Sequence, residues 1–188
     1  LNRRAPFLSS NDFVAYNWKL KDPTGPRILE NMDILVKTLG NEAERVSMLT
    51  VTEILAQSGP LLHGVVRICD GVLHHDREKV AHNLDRVRNE LQRLTYNSFM
   101  KLDPNRWGEH HADPIVWAKL VAPFGAPTWD GEPGFSGTET PTFQILDALF
   151  RRQTYESDLG KESRHNLNWL HTDFQKLHFL ANGQFSFP

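Results

Sequence analysis

The spacing of apolar residues predicts helices along most of this chain. Asn41 followed by Glu44 is typical of a helix start, and the apolar positions from Val46 onward predict one long helix over 42–74. Gly59-Pro60 should kink or break that helix near its middle, because proline has no backbone N–H to donate.

A second amphipathic helix should follow and pack against the first as an antiparallel pair. Asp76 can cap its start, and its apolar residues recur at spacings of four and three, which places them on one face. This stripe consists of Val80, Leu84, Val87, Leu91 and Leu94. Arginine and glutamate occupy the opposite face, so one side of the helix should be buried and the other exposed.

Three further helices are expected toward the C-terminal end. Asp113-Pro114 and Thr140-Pro141 each place a capping side chain directly before a proline, a combination favoured at helix starts. A last amphipathic helix should run over 161–181. The Gly- and Pro-rich stretch 125–137 should be a long loop, and loops of this length inside a domain are more often functional than idle.

The N-terminal part has a weaker pattern. Phe13 to Trp18 predicts a short buried helix, and the D-P-T-G-P segment at 22–26 predicts a turn. Strand-like alternation of apolar and polar residues is not found in the sequence, so the fold class is all-α, with 1–188 as a single helical domain.

Composition narrows the candidate functions. The net charge of -2 gives no electrostatic attraction for nucleic acid or an anionic membrane. Apolar runs stay well short of the about 20 residues needed to span a bilayer. The single cysteine, Cys69, lies in an apolar run and is interpreted as a buried inert thiol rather than a nucleophile. A reducing, cytoplasmic location fits this cysteine usage.

The nine histidines require a metal site to be considered. The adjacent pairs 74–75 and 110–111 lack zinc-motif spacing and are interpreted as solvated surface residues. His63 is interpreted as a hydrogen-bonded core residue, with a pocket wall as the alternative. His171 and His178 fall within about 20° of each other on a helix, beside an apolar face. They are either haem-facing imidazoles or, as we favour, satisfied core histidines.

The loop that leads into the helix predicted at Thr140-Pro141 carries several hydroxyl groups. Ser136, Thr138 and Thr140 converge there with free backbone N–H groups, an arrangement that suits a carboxylate or another anion. Simple capping of the helix is the alternative. The phosphate-loop lysine and the nucleophile-elbow pattern are not found in the sequence, so phosphate-loop and serine-hydrolase functions receive no support.

Several segments together resemble indoleamine 2,3-dioxygenases. Residues 17–23 read N-W-K-L-K-D-P, and residues 30–35 read E-N-M-D-I-L after a proline at 26. Both are similar to family segments of the same order and register. Residues 113–124 resemble the segment before the family's active-site loop, and residues 134–147 resemble the family's G-G-S-A-x-Q-S-S segment followed by F-Q-x-x-D. The resemblance covers nearly the whole chain. Around Ser136 the chain also resembles a bacterial branch that includes the pyrrolnitrin-pathway synthase.

The resemblance implies a haem-dependent oxidoreductase of tryptophan catabolism with an all-α helical bundle like the family's large haem domain. Such an enzyme holds iron in haem and uses dioxygen to open the ring of an indole-like aromatic substrate. The haem binding and substrate contacts that it implies fall on three segments. These are Ser10, Phe13 and Val14; Arg45, Val46 and Leu49; and Ala122, Phe124, Gly125, Phe135, Ser136, Gly137 and Thr138.

The sequence also departs from the family pattern at these positions. The family arginine that pairs with the substrate carboxylate aligns with Ala122, and a distal aromatic and a distal serine align with Arg45 and Leu49. Arg45 is either a replacement cation or, as we favour, a surface residue beside Glu44. The family's proximal histidine would lie beyond Pro188, so we expect a chain incomplete at its C-terminal end, or His171 or His178 as a substitute iron ligand.

Two other functions stay open at this point. The first is a non-catalytic helical module that keeps the scaffold for binding and has lost haem chemistry. The second is a haem protein of the bacterial branch that uses peroxide or rearranges a ring. No catalytic residue is assigned, because the family reaction does not need an acid or base from the protein.

Overall fold

The computed structural model describes residues 11–125 and 140–150 and confirms a mostly helical fold. These residues fall into two compact units, 11–123 and 124–125 with 140–150. The first unit contains α1 (Glu42–Gln57), α2 (Gly59–Leu73), α3 (Arg77–Asn97) and α4 (Pro114–Val116). It also contains the strands β1 (Trp18–Leu20) and β2 (Met32–Ile34). The second unit contributes α5 (Pro141–Leu149).

The predicted helix over 42–74 is broken where the sequence indicated. The Asn41 side chain caps α1 by accepting a hydrogen bond from the Glu44 backbone N–H at 2.9 Å. The helix ends at Gln57, and α2 begins at Gly59 with Pro60 in its first turn, where a missing N–H costs nothing. The Ser58 hydroxyl donates to the Leu55 carbonyl oxygen at 2.9 Å and satisfies a carbonyl at the end of α1.

Helices α2 and α3 form the predicted antiparallel pair. A Cβ atom placed on Gly64 would lie 2.8 Å from Cγ2 of Val87, and one on Gly71 would lie 2.9 Å from Cγ2 of Val80. Glycine therefore lets the two backbones approach closely at two successive levels. The Asp76 side chain caps α3 by accepting from the Lys79 N–H at 2.9 Å, as expected.

The predicted stripe of α3 is correct at its centre and wrong at one position. Val87 and Leu94 are buried, whereas Leu84 is 44% exposed. Asn83 takes a buried place on this face, and its side-chain amide donates to the Lys79 carbonyl oxygen at 2.8 Å. Asn83 thus takes the buried position that the apolar pattern assigned to Leu84.

The N-terminal segment differs more from prediction. A π-helical turn, Asn11–Ala15, replaces the expected helix over 13–18, and Trp18 already begins β1. The strand β1 pairs antiparallel with β2, with Trp18 opposite Ile34. Three-residue strands are too short to show an alternating pattern, so the sequence did not reveal this hairpin.

The turn at 22–26 is confirmed. The Asp22 carboxylate accepts from the backbone N–H and the hydroxyl of Thr24 at 2.9 and 2.7 Å. The Asn31 side chain donates to the carbonyl oxygens of Asp22 and Pro26, which closes the loop between the two strands.

The helix expected after Asp113 is present as three consecutive segments of different helix type. Asp113 caps α4, a π-helical stretch follows over Trp117–Val121, and a 3-10 turn covers Ala122–Gly125. Helix α5 begins at Pro141 as predicted. The expected helix over 161–181 lies outside the described residues. In the part of the chain that the structure describes, none of the helices is both long and apolar enough to cross a membrane.

Candidate functional site

Four of the predicted apolar site residues are buried in the first unit. Val46 and Leu49 lie on α1, one turn apart, and Phe13 and Val14 lie in the N-terminal π-helical turn. That turn packs on α1, where the Thr52 hydroxyl donates to the Val14 carbonyl oxygen at 3.1 Å. The structure therefore brings both predicted segments together as one apolar region, the α1 wall, formed by Phe13, Val14, Val46 and Leu49.

Arg45 is not a free cation. Its Nε and Nη2 donate to the two carboxylate oxygens of Glu42 at 2.8 and 2.6 Å, and its Nη1 donates to the Leu29 carbonyl oxygen at 3.4 Å. The hydrogen bonds from Arg45 lower the pKa of Glu42, and those to Glu42 raise the pKa of Arg45. The interpretation that we favoured was a surface residue beside Glu44. The structure instead shows Arg45 partly buried and paired with Glu42, one turn earlier.

Ala122 follows a helical stretch that packs against α1, and Val121 at the end of that stretch is buried. The methyl side chain of Ala122 carries no charge. Phe124 and Gly125 end the same 3-10 turn and belong to the second unit. The remaining predicted site residues lie outside the described residues: Ser10, Phe135, Ser136, Gly137, Thr138, His171 and His178.

His74 and His75 are exposed, as predicted, but two other described histidines depart from their predicted environments. His63, expected in the core or on a pocket wall, is exposed on α2. His110, expected at the surface, is largely buried, and its Nε2 lies 2.9 Å from a carboxylate oxygen of Glu30. Across the described ranges, groups of three or more His, Cys, Asp or Glu side chains able to hold a metal ion are not found.

The sequence analysis missed a polar network around the buried Glu53, which we call the Glu53 network (Glu53, Ser98, Lys101, Glu30 and His110). Glu53 is 2% exposed, and its carboxylate accepts from Ser98 Oγ and Lys101 Nζ at 2.8 and 2.9 Å. It also accepts from the Leu29 backbone N–H at 2.6 Å. The sequence does carry one signal for this network: the ionisable Glu53 follows the apolar Leu49 by one turn on the same helix face. A charge buried there requires partners.

Lys101 connects Glu53 to the rest of the network. Its ammonium also donates to Glu30 at 2.7 Å, and His110 contacts the other oxygen of the same carboxylate. One lysine thus serves two carboxylates. Burial lowers the pKa of Lys101, but the bonds to Glu30 and Glu53 outweigh this effect and raise it above its ordinary value.

The Glu30 carboxyl should make the stability of the protein depend on pH in acid. Burial raises the pKa of Glu30, but the hydrogen bonds from Lys101, its own backbone N–H and His110 outweigh burial and lower it to about 2. A depressed folded-state pKa contributes stability that is complete above the ordinary value of 4.5 and is lost as pH falls toward 2. Urea unfolding between pH 5 and 2 should therefore show a decline that Glu30→Gln reduces. An equal decline in that variant would contradict this assignment.

A second buried carboxylate holds the loop before α1. Glu44 accepts from the backbone N–H groups of Thr38, Leu39 and Gly40 at 2.7, 2.9 and 2.7 Å. Gly40 has φ of 71°, a conformation that glycine adopts without strain. In a full capping box the side chain at this position would bond the N–H of the capping residue. Here the carboxylate reaches past Asn41 to the three preceding residues.

Two other polar side chains of α1 are buried without a partner. Thr50 is 0% and Ser47 8% exposed, and their hydroxyl oxygens have no hydrogen-bond partner within the described part of the structure. Thr52, on the same helix, donates instead to the carbonyl oxygens of Val14 and Met48. The contrast singles out Ser47 and Thr50, because buried hydroxyls are normally paired.

Cys69 is only partly buried on α2, so its predicted complete burial needs correction. Burial nevertheless raises the pKa of its thiol. The protonated form is therefore favoured, in keeping with an inert thiol rather than a nucleophile.

In a comparison with known proteins, the chain is similar to indoleamine 2,3-dioxygenases. The chain is 31% identical over 161 residues to indoleamine 2,3-dioxygenase 1 of Rattus norvegicus, a match that covers 77% of the chain and 38% of the relative. It is 30% identical over 171 residues to the Mus musculus protein of the same name, covering 84% of the chain and 41% of the relative. Indoleamine 2,3-dioxygenase 2 of Homo sapiens is 26% identical over 90 residues, 48% of the chain and 22% of the relative.

The chain thus spans about two fifths of the length of the first two relatives. No protein-family model matches the chain.

Proposed function

Because this chain is indoleamine 2,3-dioxygenase-like in sequence, we propose that it contributes to a haem-dependent oxygenase acting on an indole-like or other aromatic small molecule with dioxygen. The observation that carries the proposal is the match at 30 and 31% identity over most of the chain to two proteins named for this activity. Tryptophan is the substrate that the family resemblance suggests.

The α1 wall fits one side of a haem or substrate pocket in its chemistry. Phe13, Val14, Val46 and Leu49 are apolar and buried, as the residues around a flat aromatic macrocycle usually are. Within the proposal these residues hold the ring system by apolar contact and exclude water from the reacting face. Haem, when bound, supplies the activation of dioxygen that opening an indole ring requires.

The described histidines offer no ligand on this wall. His74 pairs with Asp70, His110 with Glu30 and His111 with Asp113. The other three, His63, His75 and His82, are exposed on or beside other helices. A ligand within this chain would therefore come from outside the described residues. His171 and His178 are the candidates that the sequence pattern provides, as an alternative to a ligand on a further part of the protein.

An absorption spectrum after haem addition tests the proposal. We expect a Soret band that shifts when the reduced protein is exposed to carbon monoxide, as ligated haem does. Loss of that band in His171→Ala or His178→Ala would assign the iron ligand to this chain, with His63→Ala as the exposed-histidine control. A protein of the full family length that also gives no band would overturn the oxygenase proposal in favour of a non-catalytic binding module.

A further inference from the structure

Helix α2 carries apolar residues on two sides. Leu61, Val65 and Ile68 are buried, and α3 supplies most of the described neighbours of α2. A second apolar set, the outer stripe, consists of Leu62, Val66, Cys69 and Leu73. Val66 and Leu73 are 64% and 70% exposed, while the other two are half-buried. The outer stripe is therefore apolar surface that the described part of the structure leaves largely uncovered.

Helix α3 adds to the same side of the pair. Each residue of the outer stripe lies about 100° beyond a residue of the inner side of α2, in the direction in which the helix turns. On α3, Leu84 lies about 60° beyond the buried Val87 in that direction, and it is 44% exposed. Because the helices are antiparallel, the same rotation leads to the same side of the pair. The outer stripe and Leu84 therefore share one surface, which we call the hairpin face.

The chemistry of the hairpin face fits contact with another protein surface. The side of a surface helix that points away from its neighbour is normally polar. Here that side carries a run of uncharged, apolar residues on α2, joined by Leu84 on α3. Single exposed apolar residues are common, but an aligned set on two helices marks a place of association.

The spacing of the outer stripe identifies a second copy of this chain as the partner. Its steps of four, three and four residues read the same in both chain directions. When a second α2 is laid antiparallel with Val66 opposite Cys69, Leu62 falls opposite Leu73, and each of these pairs occurs twice. Steps of four and three place apolar residues along the seam between two coiled helices. A patch that matches itself under a twofold rotation is what a symmetric dimer requires.

The charged neighbours of the stripe favour the same arrangement. His63 and Asp70 flank the outer stripe on one edge, two turns apart. In the antiparallel register, His63 comes within two residues of the level of Asp70 in the second copy, so its ring N–H can donate to that carboxylate. Asp70 already contacts Lys79 and His74 but keeps 39% of its side chain exposed. A parallel pairing would instead place the two Asp70 carboxylates side by side.

We propose that the hairpin face is a dimer interface, on which α2 of a second copy of this chain packs antiparallel to α2 of the first. Its core consists of the Val66–Cys69 and Leu62–Leu73 pairs, and Leu84 extends the apolar contact onto α3. This interface forms with or without haem, so its failure would leave the oxygenase proposal standing.

A dilution series of this chain tests the interface with Cys69 as the native reporter. Light scattering should give the mass of a dimer at high protein concentration and of a monomer after dilution. The reactivity of Cys69 toward a thiol reagent should rise over the same range, because dissociation uncovers it. A monomer at every concentration would overturn the proposal. So would a Cys69 reactivity that does not change with concentration, whether high, from an uncovered face, or low, from a face covered by a segment of the same chain.

Lysine substitutions assign the contact to the hairpin face. Val66→Lys or Leu73→Lys should weaken dimerisation at least about tenfold, because the ammonium group stays in water in the monomer and is buried in the dimer. Ile115→Lys is the matched control, since Ile115 is an equally exposed apolar residue, at 65%, on α4. It should leave the dimer unchanged. Unchanged dimerisation in both variants of the outer stripe would overturn the assignment.

Engineered cysteines test the antiparallel register. In a Cys69→Ser background, Leu62→Cys combined with Leu73→Cys should give a covalent dimer on mild oxidation. The two positions lie about 16 Å apart along one helix, too far for a disulfide within one chain. Each single variant should stay monomeric on a non-reducing gel, because its two copies lie at opposite ends of the interface. A covalent dimer of Leu62→Cys alone would show a parallel pairing and overturn the register.

Discussion

Replacing Lys101 with methionine should lower the free energy of unfolding by about 3–5 kcal/mol, the usual cost of removing one partner from a buried ion pair. Methionine keeps a long unbranched chain but leaves the carboxylate of Glu53 buried at 2% exposure without its cation. Glu30 loses the same partner. Urea unfolding followed by far-ultraviolet circular dichroism gives the measurement.

Two variants make this prediction specific. Lys37→Met also removes a lysine charge, but Lys37 is exposed and lies 3.7 Å from Asp33, so its loss should cost less than about 1 kcal/mol. Adding Glu53→Gln to Lys101→Met removes the uncompensated buried charge and should recover part of the stability. A loss for Lys101→Met no larger than that for Lys37→Met would show that the Glu53 network does not hold these segments together.

Replacing Glu44 with alanine should cost about 3 kcal/mol, because three backbone N–H groups lose a charged acceptor together. The loop over 38–40 would then have to rearrange so that its N–H groups reach water, or leave them unpaired. Since this loop leads directly into Asn41, the start of α1 should fray as well. Amide hydrogen exchange at residues 38–44 would report the local opening, and urea unfolding the overall loss.

Glu42→Ala is the matched control for this change. Glu42 lies in the same first turn of α1 and is also acidic, but it is exposed and pairs only with Arg45 among the described contacts. Its removal should cost about 1 kcal/mol or less. If both variants lost the same stability, the general preference for acidic residues at a helix start would account for Glu44, and its bonds to the loop would add nothing.

Helix α1 is the element in which stability and the proposed function meet. Its first turn holds the preceding loop through Glu44, and its last third is held by Glu53. The residues assigned to the pocket wall, Val46 and Leu49, lie between these two anchors. A rigid support of this kind is what a binding wall requires, because small displacements of its residues weaken contact with a ligand.

The sequence by itself determined most of the helical architecture. Local chemistry was sufficient for the caps at Asn41, Asp76 and Asp113 and for the break before Pro60, because capping oxygens and proline act on backbone groups within a few residues. The motifs at 17–23 and 30–35 also indicated the family to which the relatives found by comparison belong.

Only the tertiary structure decided which polar residues are buried and what they bind. Glu53 reaches Ser98 and Lys101, more than forty residues away, and His110 reaches Glu30 across eighty. The β1–β2 pairing and the burial of Asn83 in place of Leu84 on α3 have the same origin. Such contacts depend on how distant segments pack, and a charged or hydroxyl side chain looks the same in sequence whether it faces water, a partner or a ligand.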